Sequence, residues 1–363
     1  MAFISSFLAI ILSIVFYFGQ LFRIDYTGIS IPIIDIIIVL LALVNIISLY
    51  QQKNLKIINR PLFIFLIMAI ITFIPGYFRY QNLSLKPTMY LVRLIALFSL
   101  FIFPYSSKII TPFTKKFFYT CLFANVIFGM IQYFFWPDLT YFKSLNWDPH
   151  LNRLVSTFFD PTFTGIIYLI FLVIVFLEKS FPFRVPVLII TYFAISLTYS
   201  RSTFLAFFIT FLFISIKKKK ASIFLVATII LIATLICLPH PPGEGTNLER
   251  TSSIKAKVEN YKEGFATFIR SPVIGHGYNF LSLARFPIPK ESSHSSSGFD
   301  SSLITILTTT GIIGLIAFIL GLKKLFENGK LPLKTILVSV LVHSLFANSL
   351  LYPWVIVCLY FIF

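Results

Sequence analysis

The chain has 363 residues, of which 58% are hydrophobic and 12% charged, with a mean hydropathy of +0.91. That composition lies outside the range of soluble globular domains and excludes a water-soluble enzyme. A net charge of +17 would suit nucleic acid, but most of the basic residues fall in short connections between apolar runs, where they report membrane topology, so nucleic acid is excluded as a partner.

Apolar runs of about 17 to 25 residues recur along the sequence, the length an α-helix needs to cross a bilayer. In hydrocarbon the backbone must satisfy its own hydrogen bonds, and no ten-residue alternation of a barrel is present. The predicted fold is therefore an all-α polytopic membrane protein. Spans are expected near 2–22, 29–50, 61–79, 87–104, 117–136, 161–178, 184–199, 202–216, 221–239, 300–322, 333–348 and 350–363, about twelve transmembrane helices. The first has no basic leader and no small-residue cleavage site, so it reads as a retained helix rather than a signal peptide. The last two read either as one long tilted helix or as two short ones broken near Asn348 to Pro353. Cys121, Cys237 and Cys358 fall within apolar runs, so no disulfide or metal framework is implied. No internal repeat is visible, so the inverted-repeat signature of many transporters is missing.

Three parts follow: a membrane bundle over 1–239 with about nine spans, a long polar loop over 240–299, and membrane spans over 300–363. With the N-terminus placed in the cytoplasm, the inner connections carry Lys53, Lys56, Arg60, Lys108, Lys115, Lys116, Lys179, Arg184, Lys217 to Lys220, Lys323, Lys324, Lys330 and Lys334. The short outer connections carry only Arg23, Arg79, Lys86, Lys143, Arg153 and Arg201. This asymmetry places the long loop outside, in the periplasm or its equivalent.

The loop carries Arg250, Lys255, Lys257, Lys262, Arg270, Arg285 and Lys290, so a site beneath it would suit an anion. A pore or an anchor has no use for such a segment, whereas an enzyme acting on a lipid-carried substrate needs a covered site at the membrane face. After a Pro/Gly turn from His240 to Gly245, the residues from about Ser252 to Arg270 predict an amphipathic helix able to lie on the membrane surface. Ile254, Val258, Tyr261, Phe265 and Phe268 or Ile269 recur at steps of three and four, with Lys255, Lys257, Lys262 and Glu263 on the remaining surface. Pro272 ends that helix, Gly275 and Gly277 form a turn with His276 between them, and a serine-rich stretch surrounds His294.

Several residues could carry chemistry. Arg201 occupies the tight outer turn between two spans, either as a snorkelling interfacial arginine or as a fixed guanidinium facing a phosphate through a bidentate fork. Arg93 lies roughly 10 Å inside the fourth span, either paired with Asp35 or lining a wet cavity. Asp300, at the start of the tenth span, is either a helix N-cap or a general base; His294 is the other candidate base. No Walker loop, His-Glu-x-x-His run or Gly-x-Ser-x-Gly elbow appears. Without a divalent-metal ligand set, a leaving diphosphate would depend on arginine and lysine.

Three segments in order resemble the O-antigen ligase and polymerase superfamily of bacterial membrane glycan-assembly proteins: Ser200-Arg201 at the start of a span; Tyr261 through Ser271-Pro272-Val273-Ile274-Gly275-His276-Gly277; and Asp300-Ser301-Ser302-Leu303 through Gly311-Ile312-Ile313-Gly314. Arg153 with Ser156, Phe158, Asp160 and Pro161 is similar to a further pattern of the family. The resemblance covers about residues 150–320. It implies that Arg201 contacts a donor diphosphate, with Asp300 at the reaction centre, and that Lys257 or Arg250 supplies the loop cation; Arg93 and Arg153 complete the diphosphate-binding set. Ligases carry a histidine where this chain has Asp300. The expected activity is therefore that of a polysaccharide polymerase, a glycosyltransferase of the bacterial inner membrane with an external active site. It would need no metal or cofactor, and would move glycan from a polyprenyl diphosphate to a hydroxyl of a second lipid-linked repeat unit. Expected partners are that lipid-linked glycan, the bilayer, and chain-length regulator and flippase proteins. An O-antigen ligase or protein O-oligosaccharyltransferase of the same fold is the alternative, and a flippase without chemistry is the third reading.

Overall fold

A computed structural model describes residues 2–26, 29–53, 56–80, 85–103, 110–145, 147–179, 181–285 and 298–363. Among the described residues the architecture is mainly helical, with two small antiparallel hairpins: β1 (Arg23–Tyr26) with β2 (Ile29–Pro32), and β3 (Asp138–Leu139) with β4 (His150–Leu151). The first five helices are α1 (Ala2–Phe18), α2 (Ile33–Gln51), α3 (Arg60–Tyr80), α4 (Leu85–Ile102) and α5 (Pro112–Phe135). Then come α6 (Pro161–Leu177), α7 (Arg184–Ser196), α8 (Arg201–Lys218) and α9 (Ala221–Cys237). The polar loop contains α10 (Ser252–Arg270) and α11 (Leu281–Arg285), and the chain closes with α12 (Ser302–Asn328), α13 (Leu331–Ser344) and α14 (Pro353–Ile362).

Among the described residues six helical stretches are long and apolar enough to cross a membrane: Ile4–Leu21, Ile33–Gln51, Arg60–Arg79, Leu85–Ile102, Pro112–Phe135 and Ser302–Asn328. Five apolar helices of 10–17 residues accompany them. Two of these five, α6 and α14, explain why length alone is a poor guide. Ile166 through Val175 of α6 and Trp354 through Phe361 of α14 are buried residue after residue, because a helix apolar on every side packs only in the middle of a bundle. Residues 331–363 form two helices, α13 and α14, separated by an irregular break that ends at Pro353.

Local chemistry sets the helix starts. Asp160 caps α6 by accepting from Thr162 N (2.6 Å) and Phe163 N (3.1 Å), with Pro161 as its first residue, the preferred use of both residue types. Ser200 caps α8 by accepting from Thr203 N at 3.4 Å. Lys217 and Lys218 sit in the last turn of α8, where cations favour the negative end of the helix. Hydrogen bonds tie the connections into two ends. At one, Leu154 N donates to Leu197 O (2.9 Å) and Ile33 N to Phe22 O (2.9 Å); at the other, Ile58 N donates to Ile102 O (2.8 Å) and Asn59 Nδ2 to Gly321 O (3.1 Å).

The polar loop enters the bundle. Helix α12 breaks at Gly311, where φ is +68° and ψ −172°, a conformation that only glycine adopts cheaply. The carbonyls orphaned by the break are satisfied by loop backbone: His276 N donates to Thr308 O (2.9 Å) and Gly277 N to Thr309 O (3.0 Å), while Ile312 N donates to Pro272 O (3.0 Å). A Cβ on Gly311 would overlap the Val273 carbonyl. The glycines of this segment thus serve a backbone-to-backbone splice about 14 Å along α12 from its start, at nine residues and 1.5 Å each. Irregular backbone at that depth is tolerated because protein covers it.

Candidate functional site

The site forms where the starts of α6, α8 and α12 meet the end of α13 and the inner face of α10. The turns leading into α6 and α8 both contain a bulky residue at positive φ, Phe159 (+58°) and Tyr199 (+50°). Such strain persists only where surrounding contacts enforce it. At Tyr199 the hydroxyl donates to Pro239 O at 2.8 Å, which fixes the exit of α9 against the turn carrying Arg201.

Arg201 is the first residue of α8, and its guanidinium reaches into the polar loop. Nη1 donates to Leu248 O (3.2 Å) and Arg250 O (3.0 Å), and Nη2 donates to Ser253 Oγ on the first turn of α10. Arg250 folds back to donate to Gly245 O (2.5 Å) and Asn247 O (3.0 Å). Arg153 is buried and donates from Nε to Thr198 O at 3.0 Å. A Cβ on Gly245 would lie 2.5 Å from Arg153 Cδ, so the loop closes directly over this arginine.

The three guanidiniums lie within electrostatic reach of one another. Burial pushes Arg153 down to about 10, and the charges of Arg250 and Arg201 act in the same direction, opposed by Asp160. Arg250 is lowered by burial and then by Arg201, with Glu244 opposing. Like charges that destabilise one another and adjoin a helix N-terminus constitute a place where an anion is welcome.

One turn along the same face of α10, Lys257 meets Asp300 at 3.2 Å and donates to Phe346 O at 2.5 Å. Asn260 Oδ1 accepts from Asp300 N (2.9 Å), and Tyr261 donates to Leu345 O. Asp300 is not the N-cap of α12, since Ser301 holds that position; its carboxylate faces the lysine. Ser253 and Lys257 are four residues apart, so the groups they hold, Arg201 and Asp300, are attached to α10 about 6 Å apart along its axis.

His343, at the end of α13, was not among the sequence candidates. It is fully buried and bridges Ser202 Oγ (3.2 Å from Nε2) and Ser349 Oγ (2.6 Å from Nδ1). Leu350 N then donates to Ser302 Oγ at 3.1 Å, so one chain of contacts runs from beside Arg201 to two residues past Asp300. A lone histidine at the end of an apolar run gives no periodic or motif signal; only the fold shows its partners.

The remaining candidates divide. Arg93 pairs with Asp35 at 3.0 Å and lies over the Tyr90 ring at 4.2 Å, within reach of the Tyr352 hydroxyl, which also feels Asp160 and Arg23. It thus lies near Tyr352 and near Tyr278 of the polar loop. His294 lies outside the described residues. His276 is buried, with Nε2 2.9 Å from Thr267 O. Among the described residues, no three His, Cys, Asp or Glu side chains gather as a metal site requires.

No curated protein matches this sequence. Residues 186–319 match the family model described as O-antigen ligase, a stretch that contains Arg201, Arg250, Lys257 and Asp300 but not Arg93, Arg153 or His343. That match runs over the helices and loop that build the cationic site, and it supports a relation to the O-antigen ligase and polymerase superfamily.

Proposed function

We propose that the chain is a polysaccharide polymerase of the bacterial cytoplasmic membrane, working at its external face, that transfers glycan from a polyprenyl diphosphate onto a hydroxyl of a second lipid-linked repeat unit. The observation that carries this reading is the attachment of Arg201 and Asp300 to successive turns of one face of α10. A cation for a leaving diphosphate and a carboxylate for an acceptor hydroxyl are the two groups such a transfer requires. In the reaction the acceptor oxygen bonds to the anomeric carbon as the bond from that carbon to the diphosphate oxygen breaks. The diphosphate departs with the electron pair toward Arg201, Arg250 and Arg153, and the hydroxyl proton passes to Asp300 once Lys257 turns to the substrate. Preorganised cations of this kind contribute most of the barrier lowering.

Replacing Arg201 with alanine should reduce polymer formation about 100- to 1,000-fold, the usual cost of losing one charge-stabilising donor, while single repeat units accumulate on the carrier. Wild-type chain lengths in Arg201→Ala would remove this residue from the mechanism. The family description of the matched segment, O-antigen ligase, favours a second reading in which finished glycan is attached to another acceptor. Labelled glycan appearing on lipid A or protein, with no growth of carrier-linked chains, would decide for it.

A further inference from the structure

Helix α10 is amphipathic, yet its polar stripe faces the protein and its apolar stripe does not. Ser253, Lys257, Asn260 and Tyr261 hold Arg201, Asp300 and the chain after α13, and farther along Gly264 packs on Ile304. Ile254, Val258, Phe265 and Ile269, spaced by four, seven and four residues, are 52%, 49%, 51% and 71% exposed. A helix that only roofed a protein site would turn these side chains inward.

Two features identify what covers them. First, exposed apolar residues continue past the end of the helix. Val273 and Ile274, just past the end of α10, are exposed, and Pro272 is hydrogen-bonded to Ile312, where Ile312, Ile313 and Ile316 form an exposed apolar face of α12. Helix α12 is long and apolar enough to cross a membrane, so the surface that bathes its isoleucines reaches α10. Second, an arc of exposed Lys255, Glu259 and Lys262 borders the stripe on the side away from the protein. Basic residues beside an apolar stripe are the arrangement of a helix seated at an anionic membrane surface.

We propose that α10 is a lipid-seated helix: its Ile254-to-Ile269 stripe lies in the acyl boundary of the bilayer, and Lys255 and Lys262 engage anionic phospholipid headgroups, while its opposite face holds Arg201 and Asp300. The seat is independent of which glycan reaction the chain performs, because its contacts face away from both residues. It makes the bilayer one wall of the site and brings lipid-borne molecules to the level of α10.

The test uses full-length protein with Cys121→Ser, Cys237→Ser and Cys358→Ala, reconstituted in phosphatidylcholine vesicles with and without phosphatidylglycerol. Environment-sensitive fluorophores are attached at Phe265→Cys, Ile269→Cys and Glu259→Cys. Lipid-borne nitroxide should quench the probes at 265 and 269 at least about three-fold more than the probe at 259, iodide should do the reverse, and phosphatidylglycerol should widen the difference. Equal iodide quenching at the three positions would overturn the proposal, as would shielding of 265 and 269 from both quenchers, which would mean a protein partner. If Lys255→Glu with Lys262→Glu leaves the phosphatidylglycerol effect intact, the headgroup contact is wrong. On unsubstituted protein, a diazirine phospholipid should place carbene adducts on the peptide covering 254–270; adducts confined to α9 and α12 would likewise overturn it.

Discussion

Arg93 and Asp35 show how a single buried pair separates two roles for one residue. The pair is largely shielded, with 18% and 15% side-chain exposure, and removing one partner of such a pair leaves an uncompensated charge that costs about 3–5 kcal/mol. Arg93→Ala should therefore lower folded yield sharply, and Arg93→Met with Asp35→Leu should restore it. If polymer returns with the yield, Arg93 is structural; if yield returns without polymer, its guanidinium serves the substrate. Lys257 and Asp300 contrast with this, at 36% and 45% exposure. A pair so open to water contributes about 0–1 kcal/mol, so Asp300→Asn should leave thermal stability nearly unchanged while cutting transfer about 100- to 10,000-fold, the range for loss of a general base. Activity of Asp300→Asn within a few-fold of wild type would assign the base elsewhere. His343→Ala leaves the buried Ser349 hydroxyl without its partner, at about 1–3 kcal/mol for a buried group left unsatisfied, measurable as a fall in unfolding midpoint, while Ser202 keeps Ser200 Oγ at 3.1 Å.

At the level of elements, α10 and the segment that follows it decide the site's integrity. Arg285 clamps Glu263 with two bonds, 2.8 Å and 2.7 Å, and these hydrogen bonds hold the Glu263 carboxyl below its ordinary value of 4.5. A lowered carboxylate contributes stability that is complete above the unfolded value and is lost as pH falls through the folded one. Docking of α10 against α11 should therefore be insensitive to pH from neutrality down to the ordinary glutamate range and should loosen only below it. Protease nicking between α10 and α11 as a function of pH would follow this, and Glu263→Gln should remove the acid dependence. The splice at Gly311 is more sensitive. Gly311→Ala forces a positive φ on a residue with a Cβ and drives it against the Val273 carbonyl, so a loss beyond the roughly 1–3 kcal/mol of backbone strain alone is expected. An unfolding midpoint equal to wild type would show that α12 can straighten without the loop.

Across the whole molecule, the connections fall at two ends, and Arg153, Arg201, Arg250, Lys257, Asp300 and His343 share one of them, whereas Lys217 to Lys220 occupy the other. Cysteines placed at Lys219 and at Asn247 should therefore react with membrane-impermeant reagents from opposite sides of the membrane, with Asn247 labelled in intact cells. Labelling of both from one side would be incompatible with the bundle described.

Helix class, the bounds of α10 and the concentration of lysine between spans were legible in the amino-acid sequence, because hydropathy, periodicity and charge counts depend on neighbours a few residues away. The sequence motifs also pointed to the family whose model matches residues 186–319. The pairing of Arg93 with Asp35, 58 positions away, was legible as one of two alternatives; that of Lys257 with Asp300, 43 positions apart, and of Ser202 with His343, 141 apart, was not. Pairings at such separations are set by how the helices pack, and so is the outward turn of the apolar stripe of α10, since the same amphipathic pattern can place either face against the protein. Tertiary structure alone decided that the polar face of this helix holds Arg201 and Asp300 together.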